Sequence, residues 1–271
     1  MTLLLHKQNA QRDYLVTDKT WELMIEYTTG CNLRCSYCAV SQPGWNSRDL
    51  DKDLSANISQ QVIQRKPEIV TIHGHGETTI IPGWEDEADK FIRAGLKTTI
   101  CTNLCKLFTE QELEVLASLD HLTVSIDTID VKLFKQLRRG GDVRHLVYNY
   151  TRIRNISKRL DNDLTTSWSI VCSDQSIWGL IDLIEYGIYL GVDGFTLCNL
   201  GATDAPDGML QANHVSELSV DDCKRALTIL NELEQICKIN NRHIDIKSGI
   251  LDTLKLKIES GSTNWNYKGN V

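Results

Sequence analysis

The sequence predicts an α/β fold, an incomplete parallel barrel of six strand–helix units. Short apolar runs of strand length alternate with longer segments of helical period from residue 21 to residue 239. Right-handed crossovers between such parallel strands curl a sheet toward a barrel, and six units fall short of a closed one. The 271 residues match the roughly 250 typical of a (β/α) barrel and allow one substantial core.

Residues 1–20 show no clear period and are expected to form a leader or an extra strand. Trp21 to Thr28 (WELMIEYT) reads as the first strand, with apolar and acidic residues interleaved. Residues 39–53 form a loop rich in turn formers, including Gln42-Pro43-Gly44-Trp45. A helix over Ser55 to Lys66 leads to the second strand, Glu68 to His73. The next helix, Trp84 to Ala94, is ended by Gly95, a residue suited to a helix C-terminus. Leu96 to Thr102 is the third strand, Thr109 to Ser118 a helix, and Leu122 to Asp127 (LTVSID) the fourth strand. Val131 to Leu137 follows, then a break at Gly140-Gly141, then a helix from Val143 to Leu160 with Leu146, Tyr150, Ile153 and Ile156 at helical spacing. The fifth strand is Thr165 to Cys172, followed by a helix over Ser176 to Leu190 and the sixth strand, Gly194 to Leu200. After a polar loop over 201–215, Ser219 caps a long helix, Val220 to Ile239, with Asp222 at the capping-box position. A short strand-like run at 242–247, a small helix and a polar tail end the chain. The expected organisation is a leader over 1–20, the barrel over 21–240 and an extension over 241–271.

Composition excludes several classes of function. A formal net charge of -7 leaves no basic surface to follow a nucleic-acid backbone. Nine cysteines, an odd number with no small-scaffold spacing, point to a reducing compartment rather than a disulfide framework. The apolar run at Leu3-Leu4-Leu5 is far too short for a signal peptide or a membrane span. The expectation is a cytoplasmic protein without nucleic-acid or membrane partners.

The chemistry centres on Gly30-Cys31-Asn32-Leu33-Arg34-Cys35-Ser36-Tyr37-Cys38, three thiols within eight residues after the first strand. An iron–sulfur cubane takes four ligands, normally thiolates. Here the next cysteine, Cys101, lies on another strand, so one iron would keep an open position. A structural zinc knuckle is the alternative, but zinc sites are usually completed by a second Cys or His pair, and none lies nearby. A second signal is His73-Gly74-His75-Gly76-Glu77-Thr78-Thr79 at the end of the second strand. Its dense glycines let backbone approach a ligand, and its carboxylate suits an ammonium group. Polar residues Asn103, Ser125, Asp127 and Asn199 stand at further strand ends, the rim where barrel folds gather their sites.

The Cys-x-x-x-C-x-x-C motif resembles that of the radical S-adenosylmethionine (radical SAM) superfamily. The resemblance implies the (β/α)6 partial TIM-like barrel of the radical SAM type over residues 21–200. It also implies a [4Fe-4S] cluster on Cys31, Cys35 and Cys38, with S-adenosyl-L-methionine chelating the fourth iron. Tyr37 then stands beside the adenine, while Gly76 and Glu77 match the family's Gly-Gly-Glu motif for the amino group, His75 departing from it. Asn103, Ser125 and Asp127 take the positions that contact the methionine carboxylate and ribose hydroxyls, and Asn199 that of an adenine contact. The two loops look most like those of enzymes that mature ribosomally made peptides, notably proteusin-type peptide epimerases. That implies hydrogen abstraction from Cα of a precursor peptide and return of hydrogen by a thiol, for which Cys198 and Cys101 are the candidates. A flavodoxin- or ferredoxin-like protein is the implied electron donor. Two other readings stay open: dehydrogenation or epimerisation of a small molecule such as an aminocyclitol or sugar, and a non-enzymatic iron–sulfur or zinc module. Free cysteines are also commonly plain core residues. No cysteine follows Cys237, which argues against an auxiliary cluster near the end of this sequence.

Overall fold

A computed structural model of the protein describes residues 22–200 and 214–261. The leader over 1–20, most of the loop at 201–215 and most of the polar tail lie outside the described residues. Two compact units are distinguished, and strand–helix alternation runs through both.

The first unit contains residues 22–32, 46–123 and 148–165. Its strands β1 (Glu22–Ile25), β3 (Ile69–Ile72) and β4 (Lys97–Thr102) lie side by side in parallel. The register aligns Glu22 with Ile69 and Ile69 with Lys97. One strand face is apolar and buried, carrying Leu23, Ile25, Val70, Ile72 and Ile100. The other is half-buried and more polar, and there Thr71 donates to the Glu22 carboxylate and sits 2.9 Å from the Thr99 hydroxyl. This two-residue alternation is what a strand packed on one side requires. β1 ends earlier than the sequence suggests.

Helix α1 (Lys52–Arg65) starts before the expected Ser55, because the Asp51 carboxylate accepts from the backbone N–H groups of Asp53 and Leu54. Helix α2 (Trp84–Arg93) buries Trp84, Ala88 and Phe91, one stripe at helical spacing. Gly95, at φ +74°, follows its end. Helix α3 (Glu110–Ala117) opens with a full capping box between Thr109 and Glu112.

The second unit contains residues 33–45, 124–147, 166–200 and 214–261 of the described chain. Strand β5 (His121–Ser125) and helix α5 (Val143–Arg159) each run across a unit boundary. Strands β7 (Thr165–Cys172), β8 (Gly194–Asn199) and β9 (His243–Ile246) are parallel neighbours, with Ser169 opposite Thr196 and Thr196 opposite Asp245. β9 falls on the strand-like run at 242–247 and adds a parallel strand to the six of the expected barrel. Helices α4 (Val131–Leu137), α6 (Leu180–Tyr189), α7 (Val220–Ile239) and α8 (Ser248–Ser260) complete the unit. α6 begins later than the expected Ser176, because Ile177–Gly179 forms a separate 3-10 turn. Ser219 caps α7 as expected: its hydroxyl accepts from Asp222 N at 3.1 Å and donates to the Asp222 carboxylate at 2.8 Å. Two pieces absent from the sequence reading are β2 (Arg34–Cys35) and β6 (Arg138–Arg139), which pair antiparallel. Among the described residues no helix is long and apolar enough to cross a membrane.

Packing in the second unit is tight around Gly187 of α6. A Cβ there would lie 2.7 Å from a Phe195 ring carbon and 2.9 Å from one of Trp168, rings that already meet edge to face at 6.1 Å. Alanine would gain about 1 kcal/mol of helix propensity. Forcing two buried aromatics apart costs about 1–3 kcal/mol, so Gly187→Ala is expected to lower the midpoint of thermal unfolding. A raised midpoint in a circular-dichroism melt would contradict this packing.

Candidate functional site

In the first unit the residues around Cys31 are joined by short bonds. Gly30 N donates to Thr28 Oγ1 at 2.8 Å, and Thr28 Oγ1 donates to Asp49 Oδ1 at 2.6 Å, which turns the chain out of β1. Gly30 O accepts from Glu77 N at 2.8 Å, so the glycine-rich loop docks directly on the cysteine loop. A Cβ on Gly76 would stand 2.3 Å from Thr28 O and 2.4 Å from Gly30 O. The glycine is therefore required by the chain's own backbone. At Gly74 a Cβ would meet only the Glu26 side chain, at 2.2 Å from its carboxylate, which can move aside and which also accepts from His75 N at 2.5 Å. His75 Nδ1 lies 3.4 Å from the same oxygen.

Glu77 is 4% exposed. Its Oε1 accepts from Thr79 N (3.2 Å), Thr79 Oγ1 (2.7 Å) and Thr102 Oγ1 (2.8 Å), and its Oε2 from Asn103 N (2.7 Å). The carboxylate braces the end of β4 against the turn Thr78–Ile80. Three of these four donors reach Oε1 and one reaches Oε2, so Oε2 is the less crowded oxygen. Asn103 Nδ2 donates to Asn32 Oδ1 at 2.9 Å and lies 3.9 Å from Cys31 Sγ, while its Oδ1 accepts from Cys105 N at 2.8 Å. Cys31, Gly76, Glu77 and Asn103 are thus brought together. Lys106 supports them from behind, donating to Thr79 O at 2.6 Å and pairing with Glu112. Burial holds the His73 imidazole below its ordinary pKa, with the Glu77 and Glu26 carboxylates pulling the other way.

In the second unit the β2–β6 ribbon holds the rest of the cysteine loop. Cys35 pairs with Arg138, Ser36 N donates to Leu137 O at 2.8 Å, and Cys38 N closes a turn onto Cys35 O at 3.2 Å. The Tyr37 hydroxyl donates to Asp127 Oδ2 at 2.5 Å. Arg138 grips the same carboxylate with two bonds, Nε to Oδ2 at 2.8 Å and Nη2 to Oδ1 at 2.9 Å, and Val171 N adds a bond to Oδ1 at 3.0 Å. Burial raises the Tyr37 pKa, partly offset by the Arg138 charge, so the phenol keeps its proton and donates. Burial acts to lower the Arg138 pKa, but the Asp127 carboxylate outweighs it and holds the guanidinium above its ordinary value.

Four protein donors therefore surround the Asp127 carboxylate, two on each oxygen. Arg138 and Arg139 are both engaged at the ribbon, Arg139 Nε donating to Arg34 O at 2.9 Å. The signal for Arg138 was faint: a buried acid needs a cation, but several arginines lay within reach along the chain. Asn32 and Lys106 carry no local signal, because their roles are contacts with residues distant in sequence.

Ser125 ends β5, half-buried. Asn199 ends β8, and its buried Oδ1 has no hydrogen-bond partner among the described residues. The remaining cysteines divide by burial. Cys172, Cys223 and Cys237 are core thiols, and burial pushes Cys172 up to about 12 and Cys237 up to about 11. Cys101 and Cys198 are half-buried, on the more polar faces of β4 and β8, Cys198 Sγ lying 3.7 Å from Ser169 Oγ.

Comparison with known proteins follows the same lines. The model of the radical SAM superfamily matches residues 25–166, more than half of the chain. A tungsten-containing aldehyde ferredoxin oxidoreductase cofactor-modifying protein of Pyrococcus furiosus is 27% identical over 222 residues, covering 79% of this chain and 59% of that protein. Streptococcus suis SuiB bound to precursor peptide SuiA superposes with a TM-score of 0.64 at 19% identity, over 83% of this chain and 48% of SuiB. The enzyme anSMEcpe with bound AdoMet and the Cp18Cys peptide gives 0.60 at 15% identity, over 84% of this chain and 63% of that one. The chain thus spans between about half and two thirds of the length of these relatives. The structural likenesses establish the fold, an α/β partial barrel with mostly parallel strands. With the cysteine motif carried inside the matched region, the chain belongs to the radical SAM superfamily.

Proposed function

We propose that this protein binds a [4Fe-4S] cluster through Cys31, Cys35 and Cys38, reductively cleaves S-adenosylmethionine, and epimerises residues of a ribosomal precursor peptide. The cluster and S-adenosylmethionine are the cofactors of its superfamily. The observation that carries the reading is a loop of three thiols outside any disulfide, with its backbone bonded at Gly30 beside Cys31 and at Cys35. The donor set fits. Among the described residues no three Cys, His, Asp or Glu side chains form a ready single-ion site, and cluster thiolates each take a different iron, so they need not converge on one point. When bound, these groups supply a 5'-deoxyadenosyl radical that takes a hydrogen atom from the substrate.

The chain's own residues hold and orient. Asn103 Nδ2, close to Cys31 Sγ, places an N–H beside a cluster ligand, a contact that tunes reduction potential. Glu77 Oε2, which takes one protein donor against three at Oε1, receives the amino group of S-adenosylmethionine, Gly76 sets the backbone beside it, and Ser125 contacts the carboxylate or ribose. The orphaned Asn199 Oδ1 suits a donor such as the adenine amino group. Tyr37 lies beside the adenine. We take residues 21–240 as the catalytic barrel, 241–271 as an extension and 1–20 as a leader or extra strand.

For the final step, Cys198 or Cys101 gives a hydrogen atom to the Cα radical from the opposite face, forming the new C–H bond. The resulting thiyl radical returns to thiol with one electron and one proton, the electron coming from a flavodoxin- or ferredoxin-like donor. A peptide substrate is supported by the peptide-bound structures of SuiB and anSMEcpe. A second reading, chemistry on a small molecule such as an aminocyclitol or sugar, is favoured by the Pyrococcus furiosus relative, named as a cofactor-modifying protein.

After anaerobic reconstitution and reduction, the protein is expected to release 5'-deoxyadenosine from S-adenosylmethionine. Cys35→Ala should lose that activity while keeping its circular-dichroism spectrum. Absence of the nucleoside from the reduced, iron-loaded protein would favour a non-enzymatic metal module instead. In heavy water an epimerised peptide gains one deuterium at Cα, whereas a dehydrogenated product loses two hydrogens, and mass spectrometry separates them. Gly76→Ala, by pushing the glycine-rich loop off the backbone at Thr28 and Gly30, should destabilise the protein by about 1–3 kcal/mol and reduce iron per chain. Unchanged iron content and melting temperature would refute that role of Gly76.

A further inference from the structure

Asp127, two residues beyond the end of β5, is 1% exposed, and Arg138 is nearly as deeply buried. Taking two charges out of water costs several kcal/mol per ion, and replacing such a pair by apolar groups is often neutral or stabilising. Stability alone is therefore a poor reason for this pair. Its location supplies a better one. The Arg138 backbone pairs with Cys35, and its guanidinium fixes the carboxylate that receives the Tyr37 hydroxyl. The ion pair thus reaches the segment between the second and third cysteines twice, through main chain at Cys35 and through the side chain at Tyr37, next to Cys38. Val171 N anchors the carboxylate to β7. Packing of the Tyr37 ring with Leu137 and Leu200 would hold the ring in place, but apolar contact has little directional preference. The hydroxyl bond supplies direction.

We propose that Asp127 and Arg138 are positioning residues that set the placement of Cys35 and Cys38 for the cluster, acting through Tyr37 and the β2–β6 ribbon, and that Asp127 makes no direct contact with S-adenosylmethionine. The proposal rests on the radical SAM reading of the three cysteines. It concerns the cluster loop before any nucleotide arrives, so its consequences are visible in the cluster alone.

The test uses the full chain with Tyr37→Phe, Asp127→Asn and Arg138→Lys. Each is melted without metal, reconstituted with iron and sulfide, and reduced for electron paramagnetic resonance with and without S-adenosylmethionine. Loss of iron to a chelator is timed in parallel. Tyr37→Phe, which keeps the ring and its packing, decides the matter should the ion-pair variants fail to fold. The expected result is a near-wild-type melt for Tyr37→Phe, an altered cluster spectrum already without S-adenosylmethionine, and cluster affinity reduced by about tenfold or more. Arg138→Lys, keeping the charge but not the two-pronged grip, should not restore the wild-type spectrum. Wild-type spectra and iron retention in folded Tyr37→Phe would overturn the proposal. So would an Asp127→Asn protein in which only the response to S-adenosylmethionine changes, because that is the mark of a direct cofactor contact. Failure of the wild-type protein to take up any cluster would remove the radical SAM reading, and this proposal with it.

Discussion

A loop that carries three thiols within eight residues has no internal means of holding them apart and in place. Thiols are short, and the intervening Asn32, Leu33, Arg34, Ser36 and Tyr37 form no regular element long enough to be rigid by itself. The rest of the molecule supplies the rigidity. At Cys31 it comes from the backbone of the glycine-rich loop and from Asn103. At Cys35 and Cys38 it comes from a two-residue ribbon and a buried carboxylate.

The two groups of contacts use different physics. Around Cys31 the constraint is steric: Gly76 lets backbone meet backbone at a distance no side chain would permit. Glu77 and Asn103 then act as polar cross-links that satisfy loop backbone groups otherwise left without secondary-structure partners. Around Cys35 the constraint is electrostatic, built on one desolvated carboxylate with two protein donors on each oxygen. A network so completely satisfied is rigid, because moving any donor leaves a buried charge short of a partner.

The cysteines away from the loop show the same separation of structural from chemical use. Cys172, Cys223 and Cys237 are buried, which favours the neutral thiol, and behave as small hydrophobes. Cys101 and Cys198 sit on the half-buried strand faces, among hydroxyl-bearing neighbours such as Thr99 and Ser169. On the strands, alternation separates Cys172 from Cys101 and Cys198, since a shift of one position moves a side chain from one face to the other, while Cys223 and Cys237 lie on the buried side of helix α7.

The amino-acid sequence by itself determined the alternation of strands and helices, the capped start of α7 and the glycine that follows α2, because periodicity and capping are local properties read over a few residues. It also determined the three-thiol motif, whose meaning lies in spacing along one short stretch. It showed that a glycine and a carboxylate follow β3, but not that Gly76 is required by Thr28 and Gly30 or that Glu77 braces Thr102 and Asn103. Nor did it reveal the β2–β6 ribbon, since two residues carry no detectable period, or the choice of Arg138 over other nearby arginines as partner of Asp127. Those were decided only by tertiary structure. Which donor reaches a buried carboxylate, and which backbone approaches a glycine, depends on residues many positions apart meeting in space, and no local pattern encodes that meeting.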